Sequence, residues 1–320
     1  MNASRTWVSV CVVMGLLAGT VSAVVIATVP VGNAGNAGEL SDGGGYGPDR
    51  ICGAVAYDYR IGTHEVMAGQ YAEFLKAVAK TDTYGLYNSN MWSSGYGCKI
   101  QQSGTSGNYD YSVASGYANR PVNFVSWGDS ARFANWMHNN QPTGGQGLAT
   151  TEDGAYYLNG ATTNAQLLAV NREADWKWAI TSEDEWYKAS YYDPATSSYY
   201  NYPTSSNSIN TGMANYDWSV GHTTDVGSYG NSSPYGTFDQ GGNVWEWNEA
   251  VLSGSYRGRR GGSFIVHYVY SLHAASRYGY YPSYEGSVIG FRVSEVPEPC
   301  SASLLLLGCL VLTHWRRRIA

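Results

Sequence analysis

Side chains able to do chemistry are sparse. The six histidines are His64, His138, His222, His267, His273 and His314, and none forms a ligand pair of the HxxxH type. His267 and His273 come nearest. With no third histidine or carboxylate beside them in sequence, they read first as surface or hydrogen-bonding residues. Glu183-Asp184-Glu185 crowds three carboxylates at a helix start, where the helix dipole alone accounts for them. No GxSxG nucleophile elbow and no phosphate-binding loop is present. Three of the five cysteines, Cys11, Cys300 and Cys309, lie in apolar terminal segments, leaving Cys52 and Cys98 in the body. In an oxidising compartment these two can pair, so they are the candidates for one disulfide; a metal held by two lone cysteines is the weaker reading. The densest chemistry is aromatic. Tyr268, Tyr270, Tyr278, Tyr280, Tyr281 and Tyr284 fall within one short stretch that could stack on sugars, meet a protein, or pack on itself.

The composition frames these residues. Of 320 residues, 14% are charged, against about 25% in ordinary proteins. Aromatics are also 14%, carried by 28 Tyr and 11 Trp, and there are 39 Gly. A hydrophobic fraction of 43% is enough for a core and excludes global disorder. Low charge excludes a long coiled coil, and a net charge of −6 argues against nucleic acid, which requires a basic footprint.

Both ends read as targeting signals. Arg5, the apolar run from Trp7 to Leu17 and the small residues Val21-Ser22-Ala23 fit a secretory signal peptide over residues 1–23. At the other end come Val296-Pro-Glu-Pro299, an apolar stretch from Cys300 to Thr313, and Arg316-Arg317-Arg318. A helix of that length spans about 21 Å, short of the ~30 Å hydrocarbon core, so it is a marginal membrane stop. The arginines should stay cytoplasmic, placing the body outside. This three-part order over residues 296–320 resembles the PEP-CTERM sorting signal. The resemblance implies export in a Gram-negative-type bacterium, handling by an exosortase and removal of the tail. Without these basic ends, residues 24–295 hold 15 basic and 24 acidic residues, a net −9.

The body must position whatever function there is. Residues 24–50 are rich in Gly and Asn and read as punctuation. Alternation predicts a strand over 54–61, with Val55, Tyr57, Tyr59 and Ile61 on one face. Helical spacing predicts amphipathic helices over 64–79 and about 129–138. Ser182-Glu-Asp-Glu185 is a capping box that starts a third helix, ended by Asp193-Pro194. Short strands are expected around 244–247, 263–266 and 290–293, with long loops over 84–119, 139–165 and 195–236. One domain over 51–295 is the economical reading.

Five segments in order resemble the formylglycine-generating enzyme (sulfatase-modifying factor) family. They are Ile61-Gly-Thr-His-Glu-Val through Phe74, Pro121-Val-Asn-Phe-Val-Ser-Trp127, Thr181-Ser-Glu-Asp-Glu-Trp186, Gly242-Asn-Val-Trp-Glu-Trp247, and Arg260-Gly-Gly-Ser263 with Arg277 and Gly290-Phe-Arg292. The resemblance implies a loop-rich α+β, C-type-lectin-like fold. Within it, Trp127, Trp136, Trp186, Trp245 and Trp247 read as core, and Arg260, Arg277 and Arg292 as ties between loops.

The same resemblance implies a calcium site with Asp239 and Glu246 as side-chain ligands and Gly242 and Val244 as carbonyl ligands, since Ca²⁺ takes several hard oxygens from a tight loop. The alternative is that Glu246 pairs with an arginine. The family's oxidase uses two cysteines after its Gly-Gly-Ser motif to hold copper as thiolates. Here those positions are Val266 and Ser271, with Ser263 retained. Valine has no donor atom and serine cannot replace a copper thiolate, so no copper is expected and the known reaction is not. The preferred expectation is an exported binding or structural module for a glycan or protein ligand. The alternative is an oxidoreductase or other enzyme with altered metal chemistry, drawing on His267 and His273.

Overall fold

The computed structural model describes residues 23–41 and 48–296. The sequences read as signal peptide and sorting segment lie outside the described residues except for Ala23 and Val296. Among the described residues, no helix is long and apolar enough to cross a membrane.

In chain order, the first elements are strands β1 (Thr28–Val31), β2 (Glu39–Ser41), β3 (Arg50–Cys52) and β4 (Tyr59–Gly62). Helices α1 (Ala68–Val78) and α2 (Asn90–Ser93), the hairpin β5 (Ile100–Ser103) and β6 (Asp110–Val113), and helices α3 (Trp127–His138) and α4 (Asn164–Ala169) follow. Next come β7 (Trp178–Ile180), α5 (Glu183–Tyr191), β8 (Tyr192–Asp193) and β9 (Ser198–Tyr199). The last third holds β10 (Trp245–Leu252), β11 (Tyr256–Arg260), β12 (Tyr278–Tyr280), β13 (Ile289–Phe291) and β14 (Val293–Glu295).

Two four-stranded sheets carry the fold, ordered β1-β4-β14-β7 and β12-β11-β10-β13. The first is antiparallel throughout. In the second, β10 runs parallel to β13 and antiparallel to β11, with a bulge between Trp247 and Val251. Arg292 lies between β13 and β14, so the chain's last strands tie the two sheets together. The architecture is the α+β arrangement the sequence implies.

Helices α1 and α3 bury aromatic faces against each other. Phe74 meets Phe133 edge-on at 5.4 Å and Trp136 at 5.2 Å, and Phe133 meets Phe291 of β13 at 5.4 Å. Such offset and edge-on pairs are the favourable aromatic geometries. Helix α3 starts on a capping box: Ser126 Oγ accepts the Asp129 N–H at 3.1 Å and Asp129 Oδ2 accepts the Ser126 N–H at 2.8 Å. The α5 box forms as the sequence indicates, with Glu185 Oε2 accepting the Ser182 N–H at 2.7 Å. The five motif tryptophans are all buried.

Several expectations need correction: the strand expected over 54–61 forms only at Tyr59–Gly62, with Tyr57 exposed, and the stretch 84–119 expected as loop carries α2 and the β5–β6 hairpin. Residues 24–50 are not mere punctuation, because β1 pairs with β4 along its whole length and Val31 is buried. Residues 263–266 form a turn rather than a strand, forced by the left-handed backbone of Gly261 and Gly262 just before it. Cys52 and Cys98 are both free and sit in different core clusters, Cys52 beside Trp186 and Tyr191, Cys98 with Ile100 and Val122. The Cys52 sulfur faces the Arg260 guanidinium at 3.4 Å, and the two cysteines lie in separate parts of the core, so they form no disulfide.

Candidate functional site

Glu183, at the start of α5, is the centre of a buried charge cluster. Arg260 from the end of β11 donates through Nε at 2.8 Å, and Arg277 donates to both carboxylate oxygens at 2.8 and 2.9 Å. Arg50 adds a third contact at 3.0 Å. Burial works to raise the Glu183 carboxyl, but the three guanidinium groups override it and pull it down to about 2. Arg260 also reaches Ser41 Oγ at 3.0 Å and the carbonyls of Ala274 and Ser276. The arginines of the Arg-Gly-Gly-Ser segment therefore tie loops together, and Glu183 is the anchor that the helix-dipole reading passed over.

The Gly242–Trp247 segment forms a second buried cluster. Glu246 is held bidentately by Arg292, with both nitrogen–oxygen distances 2.8 Å, and Trp186 Nε1 donates to the same carboxylate at 2.6 Å. Glu246 therefore takes the arginine-paired role, and its two oxygens are engaged by nitrogen donors. Asp239 accepts the Gly227 N–H at 2.5 Å. Burial raises its carboxyl to about 6. Glu65, just ahead of α1, faces the same cluster; Asn243 Nδ2 donates to its Oε1 at 3.2 Å, while its buried Oε2 has no hydrogen-bond partner. Burial, then Asp239 and Glu246, push the Glu65 carboxyl upward. Three carboxylates thus share the positive charge of Arg292. The four-ligand set read from the sequence does not fit as written, because Arg292 holds Glu246; the surplus of hard oxygens around Asp239 and Glu65 remains.

Ser263, Val266 and Ser271 lie in the segment that follows β11. Ser263 is fully buried and its Oγ has no hydrogen-bond partner. Val266 is half-buried against the main core, and Ser271 is buried in the short 3₁₀ turn Val269–Leu272. Gly262 has φ +76°, and a Cβ there would meet Leu272 Cδ1 at 2.7 Å, so the Gly-Gly pair presses this turn against the 3₁₀ segment. Alkyl and hydroxyl groups cannot supply thiolate ligands. The two cysteines of the described body offer none either, since burial pushes both thiols up to about 11.

His267 and His273 do different jobs. His267 is exposed, and its Nδ1 is 2.6 Å from Asp217 Oδ1. His273 Nδ1 accepts the Ala275 N–H at 3.0 Å, burial lowers its affinity for a proton, and Tyr270 stacks on it at 5.5 Å. Among the described residues, no group of three or more His, Cys, Asp or Glu is placed to hold a metal ion. Sequence reading missed Asp217, which a loop brings to His267, and Glu65, whose burial no local pattern announces.

The tyrosines divide. Tyr268 is 81% exposed, and Tyr270, Tyr281 and Tyr284 are also exposed. Tyr278 and Tyr280 on β12 are half-buried. Tyr278 packs on Trp245 at 4.9 Å, Tyr280 on Tyr284 at 4.3 Å, and the Arg259 guanidinium lies over both Trp245 and Tyr280. Part of the tyrosine-rich stretch is therefore self-packing.

A loop-rich α+β domain with a Gly-Asn-x-Trp-Glu-Trp strand, an arginine-bound glutamate at its centre and a Gly-Gly-Ser turn defines a class. The profile of the family described as "Sulfatase-modifying factor enzyme 1-like domain" matches residues 29–296, and the chain belongs to this family. Treponema denticola variable protein 1 is similar in structure, with a TM-score of 0.60 and 17% identity, covering 87% of this chain and 98% of that one. CarF is similar with a TM-score of 0.52 and 20% identity, covering 85% and 99%. PvdO from Pseudomonas aeruginosa has a TM-score of 0.49 and 19% identity, covering 84% and 94%. At these identities the first two speak to fold alone. A comparison with curated proteins found no match.

Proposed function

We propose that this protein is an exported, non-catalytic member of the family that serves as a binding or structural module for a glycan or protein ligand. The carrying observation is the pair Val266 and Ser271 where the family's oxidase needs two copper thiolates, with both cysteines of the described body buried. Export rests on the two terminal signals. An exosortase-type machinery would process the C-terminal segment, which holds the protein at the inner membrane until then. The destination is the outer envelope or the extracellular space. The acidic body favours no nucleic acid.

Calcium belongs to the same proposal. Asp239 and the carbonyls of Gly242 and Val244 are the ligands, with Glu246 kept by Arg292 and the unpartnered Oε2 of Glu65 nearby as a further oxygen. The test is direct. The purified protein, incubated with Cu(I) and a cysteine-containing sulfatase peptide, should form no aldehyde and retain no copper or iron after dialysis. Aldehyde formation, or a tightly held redox metal whose activity is lost in His267→Ala, would overturn the non-catalytic reading.

A further inference from the structure

Three aromatic rings from distant parts of the chain meet beside the Asp217–His267 pair. Phe264, buried, forms the floor. Trp218 stands on it edge-on, with centroids 5.7 Å apart and planes at 83°, and Tyr96 is 5.8 Å from both. Tyr96 is 43% and Trp218 40% exposed, and their planes cross at 70°. The result is an open corner with two aromatic walls.

The corner is held rigidly. Asp217 and Trp218 are consecutive non-glycine residues in the left-handed region, at φ +56° and +55°. Two such residues in a row are unfavourable and persist only where the surroundings over-determine them. Here the Asp217 N–H donates to Val266 O at 2.9 Å and the Trp218 N–H to Phe264 O at 2.8 Å. That backbone turns the Trp218 ring onto Phe264 and the Asp217 carboxylate onto His267. Tyr96 is fixed through its carbonyl, which accepts from the buried Asn123 at 2.7 Å.

We infer that this corner is a subsite for a neutral pyranose, a reading that rests on the binding-module proposal and gives its ligand a chemical class. A sugar ring offers an apolar C–H face, which suits an exposed aromatic wall, and hydroxyls at its edge. Asp217 supplies an acceptor for those hydroxyls and His267 supplies the imidazole beside it. The Asp217 carboxylate beside the two aromatic walls selects against uronates and sulfated sugars by like-charge repulsion.

The test uses the intact protein with panels of neutral gluco-, manno- and galacto-oligosaccharides and matched uronate oligomers, read by saturation-transfer NMR and tryptophan fluorescence. At least one neutral series should bind. Trp218→Ala and Tyr96→Ala should each weaken it by about tenfold or more. Trp218→Tyr, which keeps a ring on Phe264, should retain most of the affinity, and it stands in for the alanine variant should that one unfold. Asp217→Asn should admit the uronate series. If neutral sugars bind undiminished in Trp218→Ala and Tyr96→Ala but are lost in Tyr281→Ala/Tyr284→Ala, the corner is overturned while the binding-module reading stands. If no sugar binds and only a protein or peptide does, the corner's ligand class is overturned, again without touching the non-catalytic reading, which fails only on aldehyde formation.

Discussion

At the residue scale, Glu183 decides more than any other side chain. It neutralises parts of three guanidinium groups that come from β3, β11 and the segment before β12. Removing one partner of a buried ion cluster leaves uncompensated charge and typically destabilises by about 3–5 kcal/mol. Glu183→Gln should therefore shift the urea midpoint strongly downward, whereas Asp184→Asn, at the partly exposed neighbouring position, should shift it little. The sign with pH follows from the depressed carboxyl. Its contribution is present above the ordinary carboxylate range and is lost as pH falls through that range toward about 2. An acid-denaturation curve that is unchanged in Glu183→Gln would contradict this. The sequence showed both halves of the cluster without joining them. A helix-start glutamate and a motif arginine each have a sufficient local explanation, and only the fold brings them within 2.8 Å.

At the element scale, the turn after β11 depends on glycine. Gly261 has φ +95°, and a Cβ there would overlap the Gln240 carbonyl oxygen and crowd Trp186. Gly261→Ala combines left-handed strain with a backbone collision and should lower stability by more than the roughly 1–2 kcal/mol of conformational strain alone. Gly254→Ala, at φ +66° in open space, isolates the strain and should show only that smaller loss in a melting comparison. The loop from Asp239 to Glu246 makes a separate prediction. If it holds calcium, EDTA should lower the melting temperature and millimolar Ca²⁺ should restore it, with the response abolished in Asp239→Ala. A melting temperature indifferent to both reagents removes calcium from the proposal. Elements with a local signature were legible: the capping box began α5 at Ser182, as the structure shows. The aromatic corner was not. Nothing in the letters Asp217-Trp218 marks a left-handed backbone, and Tyr96 comes from a loop far away in sequence.

At the scale of the whole molecule, a third acidic cluster links the tyrosine-rich segment to the helical half. Glu285, just past Tyr284, accepts a hydrogen bond from Asn88 ahead of α2 and faces Asp129 at the start of α3, with Asp82 beyond. Burial first, and Asp129 second, push the Glu285 carboxyl up to about 8; burial raises Asp129 to about 6 against the opposing Ser126 hydrogen bonds and Arg132. Both groups are shifted above their unfolded values, so their protonated forms favour the folded state. Stability from this cluster is complete below the ordinary carboxylate range of about 4, and is lost as pH rises from there to about 6 for Asp129 and to about 8 for Glu285. Asp239, raised to about 6 by burial, and Lys188, lowered by burial to about 8, titrate in the same window, so the difference between wild type and Glu285→Gln isolates this cluster's share. The melting temperature should therefore decline between about pH 4 and 8, and Glu285→Gln, which keeps the bond to Asn88 without a titrating charge, should flatten the part of the decline between about 6 and 8. A wild-type profile level to pH 9 would mean that water or a cation already compensates the pair. A decline unchanged in Glu285→Gln would place its origin elsewhere, since in this fold Glu285 is the carboxyl that joins the β12–β13 loop to α3.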